Sequence, residues 1–114
     1  MNISELARIF ALYSNRDIKE GDWYQVKDMN KEIKLYTIMD VGVIHKSWMR
    51  LIPTDTDLLN VMRGDGVNFS LIHGAITLLK GNMIHDIIIK GDLSKAIQEA
   101  FLYLHTNKHL EVLG

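Results

Sequence analysis

Along residues 2–14 the apolar positions recur at helical spacing. Ile3, Leu6, Ala7 and Phe10 make one stripe with Ser14 at its end, and Ile9 and Tyr13 widen it, which predicts an amphipathic helix. Asn2 stands where it can cap the first turn, and Glu5 follows three residues later in the capping-box position. The polar stretch 15–21 then predicts a loop.

From there the period shortens. Residues 22–27 carry Trp23, Tyr24 and Val26, a strand-like composition. A polar turn over 28–32 leads into a second extended run, 33–39, which alternates imperfectly; Gly42 breaks it. A third run, 43–52, carries Trp48 and Met49 and stops at Pro53. Together the three runs predict a three-stranded antiparallel meander.

Thr54 opens a short helix: Thr54 with Asp57 makes a capping box, Asp55 and Asp57 suit the positive end of the helix dipole, and Arg63 suits the other end. Leu58, Leu59 and Met62 form its apolar face, and Gly64 is the expected stop. Over 67–80 two readings stand side by side. Phe69, Ile72, Ala75, Ile76 and Leu79 fit a helix, whereas Val67, Phe69, Leu71 and His73 fit a strand. For 76–80 the following Gly81-Asn82 decides for strand, because it separates two apolar runs by a two-residue hairpin loop, with 83–90 as the partner. Asp92 caps a last helix whose stripe is Leu93, Ala96, Ile97, Ala100, Phe101 and Leu104, ending near Thr106-Asn107. The expected class is α+β, an antiparallel sheet with helices on one face, in the order α-β-β-β-α-β-β-α, with room for one more short strand near Phe69.

At 114 residues the chain has the size of a single domain, and 47% hydrophobic with 24% charged residues is ordinary globular composition. Thirteen basic residues against fourteen acidic ones, with no basic block, argue against nucleic acid as the partner. The absence of cysteine excludes disulfides, thiolate metal sites and cysteine nucleophiles. No signal-like start and no span-length apolar run are present, so a cytoplasmic chain that does not enter a membrane is the expectation.

Candidate chemistry is sparse. His105 and His109 have the spacing of a helical zinc pair, but Thr106 stands where a metalloprotease would need Glu, so the polar end of a helix is the expected reading. His45, His73 and His85 are scattered over the extended runs, and an enzyme would need them to converge, with Asp86 as a partner carboxylate. No serine lies in a nucleophile elbow, and Gly64-Asp65-Gly66 lacks the Lys-Ser/Thr of a phosphate loop. No catalytic residue, metal ligand or cofactor is expected. Trp23, Tyr24, Tyr36, Trp48 and Met49 instead concentrate residue types that are enriched at protein interfaces, although for any single one of them filling the core between sheet and helices is the expected reading.

The stretch LLNVMRGDGVNFSLIHGAITLLKGNMIHDIIIKGDLSKAIQEAFLYL, residues 58–104, together with the element order, resembles the class-I type III secretion chaperones and their YbjN-like relatives. The chain departs from them in being nearly neutral, where members are often markedly acidic. The resemblance implies a homodimer formed through Leu58, Leu59 and Met62, and an extended client segment held by Leu6, Phe10, Tyr36 and Trp48. It implies binding of another protein without catalysis. A small inhibitor or immunity-type protein that blocks one specific partner is the alternative that size and composition leave open.

Overall fold

A capped helix opens the chain. In the computed structural model, which describes residues 2–27, 32–37, 46–72, 75–88 and 92–113, α1 spans Ile3–Phe10. Asn2 is extended and its side-chain oxygen accepts the Glu5 N–H at 2.8 Å. Leu6, Ala7, Ile9 and Phe10 are buried. The helix is shorter than its apolar stripe. The Leu12 and Tyr13 N–H groups donate to the carbonyls three residues back, at 3.0 and 2.9 Å, and these tighter turns close the helix end.

The chain divides into two units, Met1–Pro53 with Leu113, and Thr54–Val112. In the first unit β1 (Trp23–Val26), β2 (Lys34–Leu35) and β3 (Met49–Ile52) form an antiparallel sheet in the order β2-β1-β3. The expected meander would have placed β2 in the middle. The central place goes to β1, which carries the fully buried Tyr24 and the buried Gln25, while both residues of β2 are exposed at the edge. A strand buried in this way needs partners for its backbone on both sides. The third run is also shorter than expected: Lys46–Trp48 is a turn of 3-10 helix, and only Met49–Ile52 is extended. Positions 28–31 and 38–45, which include Gly42 and parts of the second and third expected strands, lie outside the described residues.

Register and alternation sort the side chains. Tyr24 opposes Leu51 and Val26 opposes Met49, and these four share a face. With Ile18 and Tyr36 they make this unit's core, in which Tyr24 and Tyr36 meet edge to face at 6.1 Å and 76°. The other face carries Trp23, Gln25, Leu35, Arg50 and Ile52.

The second unit begins with α2, Asp55–Gly64, whose capping box is formed as expected. The Asp57 N–H donates to Thr54 Oγ1 at 3.2 Å, and the Thr54 N–H donates to Asp57 Oδ2 at 2.9 Å. Strands β4 (Asn68–Ile72), β5 (Ala75–Lys80) and β6 (Met83–Ile88) form the second antiparallel sheet in that order. The fold is thus α+β in the order α-β-β-β-α-β-β-β-α, and β4 is the additional strand near Phe69. His73, 89 and 90 lie outside the described residues. Gly81 takes φ +57°, the left-handed value required at the first position of the hairpin loop. The last helix, α3 (Leu93–Thr106), is capped by Asp92, which accepts the Lys95 N–H at 2.9 Å, and it buries Ala96, Ile97, Ala100, Phe101 and Leu104. It packs on α2, β5 and β6.

A Schellman motif ends α3. The His109 N–H donates to the Leu104 carbonyl at 2.8 Å and the Lys108 N–H to the His105 carbonyl at 3.1 Å. Lys108 stands at φ 58°, the position where glycine is usual. No helix among the described residues is long and apolar enough to cross a membrane.

Candidate functional site

A slot of about 420 Å³ runs beside β3 in the first unit. One wall is Ser47, Met49, Arg50 and Leu51, and the other is the chain from Phe10 to Ile18, with Lys27 at one end. Phe10, Ile18, Met49 and Leu51 make it apolar, and Arg16, Lys27 and Arg50 make it cationic.

The hydrogen-bond phase of the β1–β3 ladder decides what β3 presents to this slot. The Lys27 N–H donates to the Trp48 carbonyl at 2.7 Å, so Lys27 and Trp48 are a bonded pair. Antiparallel ladders alternate bonded and non-bonded pairs. Gln25–Arg50 and Trp23–Ile52 are therefore bonded, whereas Val26–Met49 and Tyr24–Leu51 are not. The N–H and C=O groups of Met49 and Leu51 consequently point away from β1, toward the outer edge of β3. No hydrogen bond to them is found among the described residues.

The cations of the slot are not equivalent. Arg16 grips Asp22 with both guanidinium arms, at 2.8 and 3.1 Å, and Asp22 also accepts the Lys19 N–H at 2.7 Å. The Arg16 hydrogen bond, helped by the Lys19 N–H, holds the Asp22 carboxyl below its ordinary range against the upward pull of burial. This clasp fixes the loop that forms the outer wall. Among the described residues Lys27 Nζ donates once, to the Ser47 carbonyl at 2.8 Å, which leaves two further donors. Arg50 is half-buried, and its guanidinium makes no hydrogen bond or ion pair among the described residues.

Of the residues expected to hold a client, Phe10 lines the slot, and Trp48, 65% exposed, stands at the start of β3 beside the slot residue Ser47. Leu6 is buried in the interior, and Tyr36 packs against Tyr24. Of the residues expected at a dimer interface, Leu58 and Met62 are fully buried in the chain itself, and Leu59 is half-buried. Sequence reading missed Arg16, Lys27 and Arg50. Only the register, which sets Arg50 against Gln25 next to Lys27, makes neighbours of positions so far apart in the chain.

The histidines take separate places. His45 and His73 lie outside the described residues. His85 stacks flat on Tyr103 at 3.8 Å and 1°, at a cleft of about 450 Å³ also lined by Glu99 and Leu102. Asp86, next along β6, lies on the opposite face and accepts from Thr77 Oγ1 at 2.6 Å, so the two do not form a His–Asp pair. The left-handed turn at Lys108 separates His109 from the helix that carries His105. Asp55, the other acidic cap residue, accepts from Ser94 Oγ at 2.9 Å. Among the described residues no three His, Asp or Glu side chains converge as a metal site.

Comparison with known protein families, with curated proteins and with solved structures finds no match.

Proposed function

We propose that the chain is a protein-binding module that holds an extended segment of a partner polypeptide along the outer edge of β3. The observation that carries this reading is the outward set of N–H and C=O groups on Met49 and Leu51, bordering a slot lined by the apolar side chains Phe10, Ile18, Met49 and Leu51. An added strand supplies the complementary donors and acceptors, and the pockets between side chains supply selectivity. Holding, rather than chemistry, is what such an edge offers. The reading keeps Phe10 and Trp48 from the expected client-binding set and replaces Leu6 and Tyr36 by β3 itself.

The test is a short capped peptide of alternating valine and threonine, titrated while the protein's own tryptophan emission is followed, with two backbone-methylated versions beside it. A strand on an antiparallel edge directs every second N–H to its neighbour. Methylating one alternate set of peptide nitrogens should abolish binding, and methylating the other should leave it intact. Equal binding of both methylated peptides, or no binding of the parent peptide, contradicts the reading.

A further inference from the structure

We infer that the segment held at the β3 edge alternates apolar with acidic residues, its carboxylates meeting Arg50 and Lys27. This rests on the edge-holding function proposed above. Successive side chains of an added strand point to opposite faces of the sheet, as those of β3 do. On one face the neighbours are Met49 and Leu51, with Ile18 packed in the same cluster. On the other face the neighbour is Arg50, and Lys27 continues the same face of β1.

The charge is local. The whole chain carries a net charge of -1, yet among the described residues the slot is lined by Arg16, Lys27 and Arg50 and by one acid, Asp17. Arg16 is satisfied by Asp22. That leaves the guanidinium of Arg50 and two donors of Lys27 facing the segment, and a carboxylate complements both.

The same edge argues against a bare polyanion. Half of its outward backbone groups are carbonyl oxygens, those of Met49 and Leu51. A phosphate brings no donor for them. A peptide brings its own N–H groups and can still place carboxylates on the cations.

The experiment compares three short capped peptides on the unaltered protein, in which valine alternates with glutamate, threonine or lysine, and adds an oligothymidylate as a fourth probe. The glutamate peptide should bind about fivefold more tightly than the threonine peptide, as two partly exposed ion pairs would give. The lysine peptide should bind most weakly, and added salt should narrow the spread. Arg50→Glu should reverse the order of the glutamate and lysine peptides. Equal binding of the glutamate and threonine peptides overturns this inference and leaves the edge-holding function standing. Failure of all three peptides overturns both. Tighter binding of the oligothymidylate than of the glutamate peptide overturns the acidic-peptide assignment.

Discussion

The Lys27 N–H reaches the Trp48 carbonyl at 2.7 Å, and this one bond sets the phase of the β1–β3 ladder. Because bonded and non-bonded pairs alternate, it fixes which backbone groups of β3 serve the sheet and which face outward. Arg50 and Ile52 serve the sheet. Met49 and Leu51 face the slot, and the proposed function follows from that division.

The clasp between Arg16 and Asp22 makes stability depend on pH. A carboxyl whose folded pKa lies below its unfolded value binds its proton less tightly in the native state, so the stabilisation is present above the unfolded value, near 3.8, and is lost as pH falls through the lowered folded value. Asp22→Asn should cost about 1–2 kcal/mol at neutral pH, the range for charge-assisted bonds at a partly exposed site. Urea denaturation of both proteins across acidic pH should show the difference constant above that window and shrinking within it.

Lys108 holds a left-handed backbone at φ 58° in the Schellman motif that closes α3. A side chain there is strained, and glycine relieves the strain while losing some entropy in the unfolded chain. Lys108→Gly should therefore raise stability by about 0.5–1 kcal/mol, read as a higher urea midpoint with an unchanged slope.

Thr54 and Asp57 satisfy each other's backbone N–H groups at the start of α2. Thr54→Ala removes one of those acceptors and should cost about 1 kcal/mol in urea denaturation. Thr54→Ser keeps the oxygen and should restore most of it.

Two aromatic residues of the first unit should respond very differently to truncation. Tyr24 is 1% exposed and Trp48 is 65% exposed. Tyr24→Ala opens a cavity in the core and should cost about 3–5 kcal/mol, whereas Trp48→Ala should stay within about 0.5 kcal/mol. Thermal and urea unfolding of the two variants checks the contrast.

Much of this fold was legible because its signals are local. Asn2, Thr54 and Asp92 cap the helices that follow them, and Gly81-Asn82 turns the β5–β6 hairpin, each by contacts within a few residues. The order β2-β1-β3 was not legible. It depends on burying Tyr24 and Gln25 in a strand bonded on both sides, a competition between segments far apart in the chain. Strand β4 stayed ambiguous in sequence because Phe69 fits both periods, with Ile72 completing a helical stripe and Leu71 an extended one, and only pairing with β5 settles it. Composition pointed to the aromatic residues as a group. It could not tell Tyr36, consumed by the core, from Trp48, left at the surface, and it gave no sign that Arg50 and Lys27 share a face.

The most direct measurement is amide hydrogen exchange along β3, residue by residue, in the free protein and with the glutamate–valine peptide at saturation. In the free protein Arg50 and Ile52 should exchange slowly and Met49 and Leu51 quickly, and the peptide should slow Met49 and Leu51 while leaving the other two as they were. Met49 and Leu51 already as protected as Arg50 in the free protein, or unchanged when the peptide is bound, would contradict an open edge that grips an extended chain.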